Sequence, residues 1–212
     1  MIIADKFVWG HIPKTGGDAT NLYFKLFKDK LNISFQHFQY QWFDKHKPFK
    51  TRSNEELNGK MLVLNIRRLP NWLISMEHQS IENKKNKIES MRANQNGILK
   101  QDWPSLKCRS GDELSQSTEG DNWIKAFTNN GELNIDHWLR MENLKTDLLK
   151  FINRLTDIPL ALINEIEKLN TEKSLKYDKN IETWFKSSQI KELYKNNPLW
   201  AEVEKQYYSK IF

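Results

Sequence analysis

Apolar residues follow two rhythms along this chain. Phe7 to Ile12 (FVWGHI) is a short apolar and aromatic run of the kind that fills a buried strand. Pro13 to Gly17 form a turn marked by proline and glycine. Beyond that turn Leu22, Tyr23, Leu26, Phe27 and Leu31 recur at helical spacing, so the opening unit reads strand, glycine turn, helix. Ile33 to Phe43 (ISFQHFQYQWF) alternates apolar and polar residues and predicts a second strand or an extended loop. Met61 to Ile66 (MLVLNI), introduced by Gly59, is the best buried-strand candidate. A helix is expected from about Pro70 through Trp72, Leu73 and Met76, since proline suits a first helical turn.

From Glu82 to Gly120 the apolar content collapses, and Trp103-Pro104 is the one obvious anchor. This stretch reads as an insertion with some helix, a lid or an acceptor-binding region. Ile135 to Met141 (IDHWLRM) predicts another strand, followed by a helix over Leu144, Leu148, Leu149 and Ile152. The C-terminal third is helical, with segments at Ala161 to Leu169, Ser187 to Tyr194, and from Pro198 through Trp200, Val203 and Tyr207. No internal repeat is visible. Strands alternating with helices predict an α/β fold, with a mainly parallel central sheet flanked by helices.

The length, 212 residues, fits one domain spanning 1–212 with a real core. Aromatic residues at 12% and charged residues at 28% exclude a disordered tail. The net charge of +6 favours anionic ligands without choosing among nucleotides, acidic sugars and nucleic acid. A single cysteine, Cys108, excludes an internal disulfide and a cysteine cluster for zinc. The N-terminus lacks the charged leader and apolar stretch of a signal peptide, and no window approaches the roughly 20 apolar residues of a membrane helix. The expectation is a soluble, cytoplasmic protein that binds neither membrane nor, for want of a recognisable module, nucleic acid.

The segment HIPKTGG, His11 to Gly17, carries the strongest chemistry. A loop between a buried strand and a helix sets backbone N–H groups at the positive end of the helix dipole, where an anion sits well. Gly16 and Gly17 allow close backbone approach to a phosphate, and Lys14 adds charge. The string is not a Walker A loop, because its lysine precedes the glycines.

With its neighbours in view, HIPKTGG resembles the 5′-phosphosulfate-binding loop of sulfotransferases that use the donor PAPS (3′-phosphoadenosine-5′-phosphosulfate), especially the carbohydrate sulfotransferase branch. That family carries a second motif: a strand ending in Arg, a Pro-bearing turn, and a helix with Ser eight residues after the Arg. NIRRLPNWLIS is similar, with Arg67 ending the strand, Pro70 in the turn and Ser75 eight positions on. IDHWLRMENL, the run Asn170 to Tyr177 and the terminal NPLWAEVEKQYY resemble later family segments. Asp18 stands where the family has a hydroxyl residue, and Thr20 is the hydroxyl in the following turn. Arg140 and Glu142 read as a strand-end ion pair.

The resemblance implies a P-loop NTPase-like sulfotransferase fold that moves the sulfuryl group from PAPS to an acceptor hydroxyl or amine. PAP, the desulfated nucleotide, would leave as product, and no metal is expected. Lys14, Thr15, Gly16, Gly17 and Thr20 would hold the phosphosulfate, and Arg67 and Ser75 the 3′-phosphate. Lys14 would also stabilise the leaving group. His37 is the candidate base by position, with Asp44, His46 and His78 as alternatives, since histidine is suited to proton transfer near neutral pH. His11 reads as structural. The acceptor is open between a carbohydrate and a small metabolite. Lys84, Lys85, Lys87 and Arg92 form either a basic lip for an anionic glycan or a solvated face. A kinase-like enzyme and a non-catalytic nucleotide-binding protein on the same fold are the rival readings, and the oligomeric state is open.

Overall fold

The structure, a computed structural model, describes residues 1–38, 46–94, 108–128, 132, 134–171 and 177–208, without the side chains of 37–38 and 87–94. In chain order the elements are β1 (Ile2–Ala4), β2 (Phe7–His11), α1 (Gly17–Lys30), β3 (Phe35–Phe38), a 3-10 turn (Phe49–Thr51), α2 (Asn54–Leu57) and β4 (Met61–Ile66). There follow α3 (Leu69–Asn94), α4 (Gly111–Ser115), α5 (Glu119–Phe127), β5 (His137–Arg140) and a second 3-10 turn (Met141–Asn143). The chain closes with α6 (Leu144–Asn153), α7 (Leu160–Lys168), α8 (Ile181–Trp184), α9 (Ser187–Asn196) and α10 (Pro198–Tyr207).

Five strands form one sheet in the order β3-β1-β2-β4-β5. Strands β2, β4 and β5 run parallel, whereas β1 lies antiparallel to both β2 and β3. The sheet is thus mixed, and the mainly parallel sheet expected from the alternation of elements holds only for its β2-β4-β5 half. The physical reason is the two-residue turn at Asp5 and Lys6, which can join only antiparallel strands. Three apolar residues, Ile2 to Ala4, are too short a run to show their own period, but all three are buried.

Both faces of the sheet are covered. Phe7, Trp9, Val63 and Leu139 pack with Phe24 and Phe27 of α1, Phe151 of α6 and Leu162 of α7. Their strand neighbours Val8, Leu64, Ile66 and Trp138 pack with Trp72 of α3, Phe127 of α5 and Trp200 and Val203 of α10. The alternation of the two sets is the period of two expected for a strand buried on both faces.

Helix α3 runs well past Met76, into the stretch that reads as an insertion. Its polar half is the exposed side of one long helix, with Glu82 to Asn86 in solvent. The chain returns to the core earlier than Gly120. Arg109 pairs with Glu77 of α3 at 2.7 Å, and Leu114 of α4 is fully buried. Asn196 of α9 then donates to Ser115 O at 3.0 Å. Trp103-Pro104 lies outside the described residues. Among the described residues no helix is long and apolar enough to cross a membrane.

Carboxylates organise the start of α3. Arg68 N–H donates to Glu142 at 3.1 Å and Leu69 N–H to Glu204 at 2.6 Å, satisfying amides that a helix N-terminus leaves without intrahelical partners. Glu142 is therefore not the partner of Arg140. Arg140 instead forms a fork with both carboxylate oxygens of Asp147, at 2.8 and 2.7 Å, because α6 turns back under the strand end.

Glu204 is fully buried, and burial pushes its carboxyl up to about 7, against the pull of the Leu69 amide, the Tyr194 hydroxyl and the Arg68 charge. From its ordinary 4.5 up to about 7, the folded chain keeps a proton that the unfolded chain releases. Stability from this group is highest below that window and falls as pH rises through it. Denaturant midpoints for wild type and Glu204→Gln should diverge accordingly, the wild type losing ground as pH climbs. Parallel pH profiles would refute this assignment.

Candidate functional site

The parallel pairing of β2 with β4, with His11 opposite Asn65, brings two loops together at the carboxyl end of the sheet. One is Ile12 to Gly16, leading into α1. The other is Arg67 and Arg68, leading into α3. A crevice at this end of parallel strands is the usual place for a ligand in an open α/β sheet.

The first loop is wound tightly. Lys14 has φ of 66° and Gly16 φ of 91°, both left-handed. Glycine adopts that conformation freely, whereas lysine does so only under constraint. The constraint is visible in five consecutive carbonyls. Ile12 O accepts from the Thr15 hydroxyl at 2.7 Å, and Pro13 O from the Trp72 indole at 2.8 Å. Lys14 O accepts from the Arg67 guanidinium at 3.3 Å, Thr15 O from Asn65 Nδ2 at 3.1 Å, and Gly16 O from Thr20 N–H at 3.0 Å. In a trans peptide the N–H points opposite the C=O. The amides of Lys14, Gly16 and Gly17 are thereby turned to the other side of the loop, toward the start of α1. N–H groups at the start of a helix are suited to an anion. The Thr15 amide is an exception, since it donates back to Ile12 O at 3.3 Å.

Gly17 is required by proximity. A Cβ there would stand 2.1 Å from the His11 ring. That ring is 2% exposed and stacks on Trp9 at 4.9 Å, which is the structural part expected of it. Thr20 is buried, and its hydroxyl donates to Gly16 O at 3.1 Å and accepts from Asn65 at 2.8 Å. It braces the loop from behind. Asp18 sits in the first turn of α1, half-buried, where a carboxylate gains from the helix dipole and repels an incoming anion.

The second loop adds the Arg67 guanidinium, and α3 adds a hydroxyl. Lys14 Nζ reaches across to Gln79 of α3 at 3.1 Å. Ser75, also on α3, is 2% exposed. Against the effect of burial, Ser75 and the cations Arg67 and Lys14 hold the Tyr177 phenol below its ordinary 10.0. Lys14, Gly16, Gly17, Arg67 and Ser75 are therefore gathered at one end of the sheet. Arg67 is set from the far side by Trp200, whose indole donates to Arg67 O at 3.0 Å. Trp200 is in turn fixed by Asp121, which accepts its backbone N–H at 3.0 Å.

The base candidates separate. His37 lies on edge strand β3 in register with Ile3 and, through it, Val8, three residues before His11; its side chain is outside the described residues, as is Asp44. His46 is held at the foot of the glycine loop, with Nδ1 3.2 Å from His11 O and its ring edge-on to His11 at 4.4 Å. His78 stacks on Tyr177 at 4.5 Å, and burial lowers its basicity. Lys84 and Lys85 are exposed on α3, and the side chains of Lys87 and Arg92 lie outside the described residues.

Comparison with family models, with curated proteins and with solved structures finds no match for this chain.

Sequence reading overlooked Asn65 and Tyr177. Asn65 had a signal: a polar side chain within an otherwise apolar strand needs partners when buried. It has three, since Oδ1 also accepts from the Trp9 indole at 2.6 Å. Replacing Asn65 with Leu would strip partners from the Trp9 N–H, the Thr15 carbonyl and the Thr20 hydroxyl. The expected loss is on the order of 3 kcal/mol. Chemical denaturation should register it, and a loss within about 0.5 kcal/mol would contradict this role for Asn65.

Proposed function

We propose that this chain is a sulfotransferase that takes its sulfuryl group from PAPS and passes it to a hydroxyl or amine of an acceptor, a carbohydrate or small metabolite. The observation that supports this best is the pairing of two anion-binding elements on adjacent parallel strands. The glycine loop presents the amides of Gly16 and Gly17 with Lys14, and next to it stand Arg67 and Ser75, joined to the loop by the bond from Arg67 to Lys14 O. A donor phosphorylated on both sides of one ribose calls for two such elements side by side. An ATP-type enzyme would need only the first.

In the proposed reaction the acceptor oxygen attacks sulfur in line as the bond from sulfur to the phosphate oxygen breaks. Negative charge grows on the departing phosphate, where the loop amides and the Lys14 ammonium stabilise it. Arg67 and Ser75 hold the nucleotide still, which is the larger part of catalysis when the protein supplies little covalent chemistry. The acceptor proton goes to a histidine. With Nδ1 donating to His11 O, His46 carries its basic nitrogen at Nε2, and its ring packs edge-on against His11 at the foot of the loop. Asp18 supports the rival reading, a protein that binds the nucleotide without turnover, because its carboxylate opposes the negatively charged phosphosulfate.

Calorimetry with PAP and with adenosine 5′-monophosphate separates these elements. Wild type should bind PAP at least about tenfold more tightly than the monophosphate, and Arg67→Ala should erase that difference, as expected for a charge-assisted phosphate contact. A folded wild type that binds neither nucleotide, or an Arg67→Ala variant that keeps the preference, would overturn the donor assignment. If PAP binds, release of labelled sulfate groups from PAPS to acceptor mixtures decides between transferase and binding protein.

A further inference from the structure

The glycine loop meets one face of α3 at two points. The Trp72 indole donates to Pro13 O at 2.8 Å, and Gln79 Oε1 accepts from Lys14 Nζ at 3.1 Å. Trp72, Ser75 and Gln79 follow the i, i+3, i+7 spacing of a single helix face, so Ser75 stands between the two contacts. Its 2% exposure fits that position. The Lys14 side chain therefore ends one helical turn past the Ser75 hydroxyl.

Lys14 is fixed at both ends. Its carbonyl accepts from Arg67 at 3.3 Å while its ammonium donates to Gln79, and the backbone between them is left-handed at φ 66°. A glycine would take that conformation without strain, so the lysine is there for its side chain. An ammonium only donates, so the Gln79 atom that faces it must be the oxygen. The Gln79 amide nitrogen is left to donate, and it does so to Asn83 Oδ1 at 2.9 Å, one turn further along α3. The relay runs from Lys14 to Gln79 to Asn83 and keeps the amide from turning over. It is also neutral. A carboxylate at position 79 would pair with the ammonium and cancel its charge, whereas an amide fixes the ammonium and leaves its charge to act on an anion.

Resting on the reading of Lys14, Arg67 and Ser75 as phosphate-binding groups, we infer that Gln79 is a positioning residue, which anchors the Lys14 ammonium across the crevice so that the glycine loop and the Ser75 side share one cation. Gln79 acts through Lys14 alone and needs no contact with the donor.

Two measurements test this. The first requires no ligand. The two protons on Cε of an anchored lysine lie in different surroundings and give separate signals, whereas free rotation merges them. In carbon-labelled protein the Lys14 pair, assigned by its loss in Lys14→Met, should be separate in wild type and merged in Gln79→Leu. A merged pair in wild type, or a separate pair in Gln79→Leu, would overturn the anchor. The second is a double-mutant cycle read by calorimetry with PAP. Gln79→Leu should weaken binding about fivefold and Gln79→Glu, which pairs off the ammonium, at least about tenfold. In a Lys14→Met background, Gln79→Leu should change affinity by less than about twofold. A Gln79→Leu variant that loses nothing, or loses the same factor with and without Lys14, would overturn the inference, leaving Gln79 a bystander or a direct ligand. The same non-additivity is expected with inorganic phosphate alone. Coupling seen with phosphate in a protein that does not bind PAP would uphold the positioning role and defeat the nucleotide reading alone.

Discussion

The glycine loop can present amides only if its carbonyls are held on the other side, and the site depends on how that is done. Five successive carbonyls find donors: the hydroxyl of Thr15 in the loop itself, an indole, the Arg67 guanidinium, an amide side chain and a helix N–H. Asn65 is the centre of this arrangement. From the carboxyl end of β4 it binds the Trp9 indole of β2, Thr15 O in the loop and Thr20 of α1. A buried amide with its bonds made costs little, whereas the same group left unpaired is expensive, so it specifies one loop conformation. The left-handed Lys14 follows from that constraint, since the carbonyls on both sides of its Cα, Pro13 O and Lys14 O, are each tied down.

The C-terminal helices, which look remote in sequence, complete the same site from the opposite side. Asp121 of α5 accepts amides from Leu199 and Trp200, and its own N–H donates to Asn197 Oδ1 at 3.0 Å. Trp200 then stacks near Trp72 at 4.7 Å. The two indoles donate to the two loops, Trp72 to Pro13 O and Trp200 to Arg67 O. Glu204 binds the first amide of α3 one helical turn further on. The position of Arg67 is thus set by α10 as much as by β4, and the helical C-terminal third is part of the site's scaffold.

Much of this was legible in the sequence where periodicity and glycine chemistry are strong. The FVWGHI and MLVLNI runs are strands, the glycine string lies between strand and helix, and Arg67 and Ser75 come to the same sheet end as Lys14. What escaped notice follows from long-range contacts. The hairpin of β1 rests on a three-residue strand, too short for a pattern. The polar half of α3 looks like an insertion because a helix projecting into water has no apolar stripe to display. Tyr177 lies about a hundred residues from Ser75, and nothing local marks it as a residue that stacks on His78, one helical turn past Ser75. The pairing of Arg140 with Asp147 instead of Glu142 is likewise decided by where α6 begins.

The central claim is that the outward amides of Gly16 and Gly17 bind a phosphate group of a nucleotide. Amide proton shifts of nitrogen-labelled protein titrated with PAP test it most directly. The account predicts saturable downfield movement of the Gly16 and Gly17 amide protons, as expected for N–H groups donating to phosphate, with the Thr15 amide, already bonded to Ile12 O, moving less. Gly16 and Gly17 signals that stay in place at saturating PAP, or that move no more than the Thr15 signal, would contradict it.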